Sequence, residues 1–242
     1  MRLINNHKKF FLILCLSLFI LTACQQNKTE GVNNEDLLSA SIEVMKNVDS
    51  YVADTRVGLV DQEGVLTDQL MATITYHNSP FSYSNLQEMQ ASSNDAGIVD
   101  DLQLYLLVKD DVAYIYNSIT GIWLDDEDDK LIGSIKELSN IFGSFESNYF
   151  IDLENVETKD NRVTIRGNTN SSAFLHNLMQ AIDAEATGAF ETVIDENTNF
   201  MESFHYTVDI ESEGKMTKHQ IDISLKSINN APEIEIPESA LY

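Results

Sequence analysis

The order in which helical and alternating segments follow one another constrains the fold of this 242-residue chain more than any other feature. Apolar residues recur at every second position in most segments, a spacing that is typical of half-buried strands. These segments come in groups rather than singly. The alternation predicts strands over residues 51–60, 65–77, 81–89, 102–108, 112–116, 150–157, 162–166, 189–194, 200–210 and 216–225, with a loop over 91–101.

Three segments have helical spacing instead. The first follows Asn34, which we interpret as an N-cap, and ends near Asp49; its apolar stripe consists of Leu37, Val44 and Val48, with Ser41. The second has its apolar residues at Leu131, Ile135, Leu138 and Phe142. The third starts after Asn170 and Ser171, carries Phe174, Leu178 and Ile182, and ends at Gly188.

Groups of strands between single helices predict an antiparallel α+β fold, because a parallel sheet would need a helix after nearly every strand. An open sheet of this size tends to curl. We therefore predict a curved antiparallel sheet (half-barrel) of about nine to eleven strands, with about three helices packed on its concave face. The closing residues 233–237 are expected to add a short edge strand.

One hairpin has apolar residues on both of its faces. It joins residues 102–108 to 112–116 across Lys109, Asp110 and Asp111. Leu104 and Leu106 share one face of its first strand, whereas Tyr105 lies on the other. A strand with two apolar faces is covered on both sides or lines a cavity.

The first 23 residues have the pattern of an export signal. A basic start precedes the apolar run of residues 10–21, which is shorter than the roughly 20 residues of a spanning helix. The run ends at Leu21-Thr22-Ala23-Cys24, which looks like a bacterial lipobox. We predict cleavage between Ala23 and Cys24 and a diacylglycerol on Cys24, with palmitate as a typical acyl group. The alternative is an uncleaved membrane anchor.

These features divide the chain into three parts: a lipoprotein signal peptide (1–23), a flexible tether from the lipidated cysteine (24–34) and a single domain (35–242). Because Cys15 leaves with the signal and Cys24 would be capped, no free thiol remains for disulfides, thiol catalysis or iron–sulfur clusters. The precursor has a net charge of −24, and removal of three basic residues leaves 12 basic against 39 acidic residues, or −27. Such a surface argues against nucleic-acid binding.

No catalytic, metal or cofactor site is predicted, and the sequence identifies no ligand-binding residue. The acidic run 125–129 lacks the glycine and glutamate of a calcium loop, as does 195–199, which we interpret as a turn. Strand parity places His205 and His219 on opposite faces of the sheet, so they cannot share a metal. Motifs for nucleophiles and phosphate binding are absent from the sequence.

Aromatic residues and a methionine concentrate in the middle of the chain, where they form either an ordinary core or the lining of an apolar cavity. They are Tyr105, Tyr114, Tyr116, Trp123, Phe142, Phe145, Phe150, Phe174 and Met179.

Four stretches resemble the half-barrel lipoprotein carriers of the LolA and LppX–LprG type, especially lipoproteins of Gram-positive bacteria. They are a helix leading to a tyrosine-headed strand (37–51), the aromatic hairpin running to Trp123 (108–123), the strand and turn of 193–198, and the ending 233–237. The resemblance spans most of residues 36–237 and implies a cavity that shuttles or shields acylated lipids. The resemblance assigns no catalytic residue and no pocket residue to a position in this sequence.

Three functions follow. The first is an extracytoplasmic lipoprotein, anchored in the cell membrane at a Gram-positive surface, that binds or carries a hydrophobic or lipid ligand. The alternative is a non-enzymatic scaffold or sensor for a membrane or envelope protein that the sequence does not identify. A hydrolase with spatially assembled residues is a distant third, and we predict that the protein is not an enzyme.

Overall fold

The computed structural model describes residues 33–61, 63–90, 102–170, 188–212 and 215–241. These residues contain two α-helices and eleven strands. In chain order the elements are α1 (Asn34–Lys46), β1 (Ser50–Val60), β2 (Leu66–His77), β3 (Ser82–Gln90), β4 (Leu102–Lys109), β5 (Val112–Asn117), β6 (Ile122–Asp126), α2 (Asp129–Leu138), β7 (Phe150–Lys159), β8 (Arg162–Thr169), β9 (Gly188–Asp195), β10 (Met201–Ser212) and β11 (Lys215–Lys226).

All eleven strands form one antiparallel sheet in the order β6-β5-β4-β3-β2-β1-β11-β10-β9-β8-β7. Except for β6 and β7, strands that follow one another in sequence lie side by side, and β1 pairs with β11 at the centre. The chain therefore runs outward from the centre to β6, crosses to the opposite edge at β7 and returns to the centre. The sheet is curved and does not close, which leaves β6 and β7 as its edges. The predicted α+β class and half-barrel sheet are confirmed.

The two faces of the sheet differ in what covers them. We call the inner face the one that carries Tyr51, whose hydroxyl meets the end of α2. The registers place Ile74, Leu106 and Phe204 on this face. The outer face carries the intervening positions, such as Thr73 and His205.

The core lies on the inner face, between the sheet, α1 and the segment that follows α2. Its centre is a group of aromatic rings that pack edge to face or stack, with ring centroids 4.8–6.4 Å apart. Met45 of α1 is completely buried beside them. The rings are those of Tyr51, Tyr76, Phe81, Phe142, Phe145, Phe150, Phe190, Phe204 and Tyr206.

Acidic and amide residues form the tight turns, as the sequence predicts. Asp110 and Asp111 have φ angles of 53° and 59°, and Asp160 and Asn161 have 52° and 62°, so each pair forms the left-handed centre of a two-residue hairpin. The Asp195 side chain accepts hydrogen bonds from the backbone of the next turn, at 2.8 Å from the nitrogen of Asn197. Residues 195–199 are therefore a turn that aspartate stabilises.

Three predicted details were wrong. Helix α2 ends at Leu138 rather than Phe142, because Ser139 caps it and the Asn140 side chain accepts a hydrogen bond from the Phe142 nitrogen. Residues 233–237 form no strand. Strand β6 was missed, because its short apolar stretch runs directly into the acidic residues. The predicted third helix and the loop 91–101 lie outside the described residues.

Candidate functional site

An exposed apolar surface lies on the inner face of β3–β6, and we call it the inner apolar surface. Its four most exposed side chains have exposed fractions between 36 and 64%. Leu102 and Leu104 of β4, which lie beside them on the same face, are partly buried. The four are Met89 (44%), Ile115 (36%), Ile122 (59%) and Leu124 (64%).

The strand register brings these residues together. Ile115 of β5 lies between Leu106 and Leu124 in the sheet. Two positions along, Asn117 lies between Leu104 and Ile122. Because side chains alternate between faces, Leu106, Ile115 and Leu124 form one apolar row, and in the next row Leu104 and Ile122 lie on either side of Asn117.

Burial on this face decreases along the strands. Val108 and Ala113 at one end are almost completely buried and belong to the core cluster, as does Ile132 of α2. Ile115 is next along β5 on the same face and is 36% exposed. The inner apolar surface is thus a continuation of the core.

On the other half of the inner face, the apolar residues are covered. Val208 and Ile210 of β10 are 2% and 4% exposed. His219 of β11 lies opposite Val208 and is half-buried, and its Nε2 is 3.0 Å from the Thr217 hydroxyl. Burial lowers the pKa of His219, which favours the neutral ring.

The outer face carries a groove of about 650 Å³ across β3, β2, β1, β11 and β10. His205 Nδ1 lies 2.5 Å from Asp222 Oδ1, and Asp222 Oδ2 accepts a hydrogen bond from Gln220 Nε2 at 2.8 Å. Ser203 and Ser224 line the same groove, although no hydrogen bond among the described residues joins either hydroxyl to His205. His205 and His219 lie on opposite faces, as predicted.

Apolar residues on the outer face of β4–β6 are covered by the closing segment, residues 229–241. The Asn229 nitrogen donates to Ser50 O (2.7 Å), Lys109 Nζ donates to Ile234 O (2.7 Å), and Trp123 Nε1 donates to Ser239 Oγ (3.1 Å). A cleft of about 710 Å³ remains between this segment and the rings of Tyr105, Tyr116 and Trp123. The closing segment therefore covers the second apolar face of β4, which explains why both faces of this strand are apolar.

The aromatic residues singled out in the sequence divide between the faces. Phe142, Phe145 and Phe150 are core residues on the inner side, whereas Tyr105, Tyr114, Tyr116 and Trp123 lie on the outer face. Phe174 and Met179 lie outside the described residues. The sequence named no ligand-binding residue, and the one pointer to the inner apolar surface was the two-faced strand β4.

The lipobox residues Ala23 and Cys24 also lie outside the described residues, so cleavage and lipidation stay predictions. Within the described ranges, no cluster of three histidine, cysteine or acidic side chains could hold a metal ion. No helix in this part of the chain has the length and apolar character needed to cross a membrane.

Comparisons with solved structures identify the fold. The lipoprotein LppX of Mycobacterium tuberculosis has a TM-score of 0.52 at 15% identity, covering 84% of this chain and 98% of its own. LprF from Mycobacterium bovis has a TM-score of 0.49 at 13% identity, covering 86% and 97%. A LolA superfamily protein from Nitrosomonas europaea has 0.25 at 8% identity, covering 86% and 96%.

The likeness to LppX shows that the two chains share a fold, and it confirms the half-barrel type that the sequence resemblance predicted. No protein-family model matches the sequence, and no curated protein matches it significantly.

Proposed function

We propose that this protein is a lipid-anchored lipoprotein of the outer surface of the cell membrane that binds a hydrophobic or lipid-like ligand on its inner apolar surface. One observation supports the ligand part of the proposal. Ile115, Ile122 and Leu124 are exposed on the neighbouring strands β5 and β6, and Met89 is exposed beside Leu102 on the same face, which elsewhere forms the core. The fold shared with LppX, itself described as a lipoprotein, supports the same reading.

Burial of exposed apolar side chains is the driving force for such binding. Covering apolar surface contributes about 25 cal/mol per Å², so a ligand that covers several of these side chains gains several kcal/mol. Contiguous apolar patches on soluble domains commonly mark interaction sites or ligand grooves. An acyl chain is suited to this surface because it needs no hydrogen-bond partner. The polar head group of the lipid would remain in water.

Attachment to the membrane is proposed through Cys24. Two acyl chains on one cysteine anchor a protein stably, whereas a single chain holds it only marginally. Residues 25–33, most of them polar, precede α1 and would tether the domain with a reach of about 17 Å. The acidic body would be repelled by anionic head groups, so attachment depends on the acyl chains. We place the protein on the extracytoplasmic face, in a Gram-positive cell.

Native mass spectrometry of the full chain, released from membranes in a mild non-ionic detergent, tests the ligand. We expect a stoichiometric adduct that organic extraction recovers as a lipid. The change Ile115→Asn should reduce the adduct severalfold, because it places an amide among apolar side chains. Leu86→Asn is a matched control, because Leu86 is equally exposed (37% against 36%) but lies on the outer face.

A bare protein mass that stays unchanged after incubation with cell-membrane lipids would contradict the ligand proposal. Equal loss of the adduct in the Ile115 and Leu86 variants would contradict its placement on the inner face.

The two cysteines test the anchor. In a Gram-positive host fed an alkyne analogue of palmitate, we expect labelling of the unchanged protein and of Cys15→Ala, because Cys15 lies inside the signal. Cys24→Ala should lose the label and retain the signal peptide, residues 1–23. The mass of the protein shows whether these residues are still present. Labelling of Cys24→Ala would disprove lipidation at this residue.

A further inference from the structure

The two edges of the open sheet are built differently. Along β7 the pairing with β8 shifts register twice, and Asp152 has a φ of 55°. Bulges of this kind, together with charged side chains such as Glu154 and Glu157, are what proteins use to prevent an edge from pairing with another strand. Along β6 the five residues pair with β5 without a shift.

The far side of β6 is open for main-chain hydrogen bonding. Alternate residues of an antiparallel strand direct both N–H and C=O away from their partner. In the part of the chain that the structure describes, no strand pairs with β6 on that side, and no backbone hydrogen bond joins residues 122–126 to another segment there. Five residues present an edge of about 17 Å.

The side chains of β6 leave this edge accessible. Ile122 and Leu124 are 59% and 64% exposed on the inner face. Trp123 points to the outer face, where its indole nitrogen is bonded to Ser239 of the closing segment. That segment therefore lies over the outer face and leaves the main-chain edge uncovered.

The charge around this edge selects the kind of partner. Five consecutive acidic residues, 125–129, begin within β6 and continue into α2. Asp126 and Asp128 accept local backbone hydrogen bonds, and Asp128 caps α2. Asp125, Glu127 and Asp129 are exposed. A second copy of this chain, with its own net charge of −27 after loss of the signal, would be repelled, whereas basic residues would be attracted.

We propose that the free edge of β6 binds an extended segment of a basic partner protein by strand addition. Main-chain hydrogen bonds would supply affinity, and side-chain contacts would supply specificity. The segment would run antiparallel to β6, with apolar residues at alternate positions against Ile122 and Leu124. Its N-terminal end, which would lie beside residues 125–129, would carry lysine or arginine. This site shares Ile122 and Leu124 with the inner apolar surface, whereas Met89 and Ile115 belong to the proposed ligand contacts alone.

A synthetic peptide tests the proposal. The probe is Lys-Lys-Lys-Thr-Val-Thr-Val-Thr with a fluorophore at its C-terminal end, and the readout is fluorescence anisotropy with the full chain in non-ionic detergent. A second peptide, with both valines replaced by proline, keeps the charge but cannot pair as a strand. We expect the proline peptide to bind about tenfold more weakly, because the strand hydrogen bonds are lost.

Two protein variants locate the site. The triple change D125N/E127Q/D129N should weaken binding of the lysine peptide about tenfold, since three charge contacts are removed. The matched control E154Q/E157Q/D160N removes three exposed acidic charges at the β7 edge and should bind like the unchanged protein.

Equal binding of the two peptides would overturn the proposal in favour of unspecific charge attraction. Equal weakening by the two triple variants would place the contact elsewhere. A concentration-dependent dimer in sedimentation, which the lysine peptide cannot displace, would identify a second copy as the occupant and would also overturn it. In each case the lipid adduct of D125N/E127Q/D129N should stay unchanged, so failure here is distinguishable from failure of the proposed ligand.

Discussion

At the scale of single residues, Tyr51 fixes the end of α2 against the sheet. Its hydroxyl donates to Ser139 O at 3.1 Å and accepts from the Ile141 nitrogen at 3.2 Å. The ring is completely buried and stacks on Tyr76. Burial raises the pKa of Tyr51, so the hydroxyl stays protonated and keeps its donor. One phenol thus satisfies two backbone groups that follow the helix.

Tyr51→Phe should therefore lower the free energy of unfolding by about 1–3 kcal/mol, because a buried carbonyl and a buried N–H lose their partner. Urea unfolding of the full chain measures the loss. Tyr114→Phe is the control, because Tyr114 is only partly buried on the outer face and no described hydrogen bond involves its hydroxyl. Equal destabilisation by both changes would show that Tyr51 acts through ring packing alone.

His219 makes stability depend on pH in a defined direction. Its folded-state pKa is lowered by burial, whereas an unfolded chain has the ordinary value of about 6.5. The unfolded state therefore binds the proton more readily. The contribution of His219 to stability is complete above about pH 6.5 and is lost as the pH falls toward the lowered folded-state pKa.

We expect the melting temperature to fall between pH 7.5 and 5, and we expect His219→Gln to reduce that fall. His205→Gln is the comparison, because His205 lies on the outer face beside Asp222. A pH profile that His219→Gln leaves unchanged would assign the acid sensitivity to other groups.

At the scale of elements, the hairpins were the most predictable part of the fold. Two segments of alternating residues are joined by a pair such as Asp110 and Asp111. Aspartate tolerates the left-handed backbone conformation that a tight turn needs. This information is local, so the sequence reveals it. The pairing of β1 with β11 joins residues 158 or more positions apart, such as Val60 and Lys218, and no local pattern indicates it.

Errors arose where tertiary contacts decide the outcome. Phe142 has the spacing of a helical residue, yet it leaves α2 to pack among Tyr51 and Phe145. In the closing segment, alternation of glutamate and isoleucine reflects the burial of Ile234 on the outer face, not strand pairing. For the two-faced strand β4 the sequence left open whether its faces are covered or line a cavity, because residues distant in sequence, such as the closing segment, decide which face is covered.

We expect the closing segment to unfold locally while the sheet stays folded. The buried side chain of this segment is that of Ile234, which is 6% exposed. Ile234→Ala should cost about 2 kcal/mol or more. Because such a segment can open locally, the change should also accelerate amide exchange in residues 231–241. Ile236→Ala, at a half-buried position in the same segment, should have a smaller effect.

Hydrogen exchange followed by mass spectrometry measures the opening, and urea unfolding measures the cost. If Ile234→Ala and Ile236→Ala accelerate exchange equally, the segment is held by its backbone hydrogen bonds to Lys109 and Ser50 rather than by the buried isoleucine.

At the scale of the whole molecule, the excess of acidic residues sets the response to salt. The chain has 39 acidic and 15 basic residues, and four ion pairs between a lysine or arginine and a carboxylate lie among the described residues. Exposed ion pairs contribute about 0–1 kcal/mol each, and salt weakens them. Repulsion among the unpaired carboxylates opposes folding, and salt weakens it too. The sign of the salt effect shows which of the two is larger.

Because unpaired carboxylates far outnumber the pairs, we expect the urea midpoint of the full chain to rise between 10 and 300 mM NaCl. The Debye length falls over this range from about 30 Å to below 10 Å, so repulsion between distant carboxylates is removed while contacts at ion-pair distance persist in part. The variant D125N/E127Q/D129N should show a smaller rise than the unchanged protein. A midpoint that falls with salt would mean that the ion pairs, such as Arg162–Glu202, outweigh the self-repulsion of the acidic body.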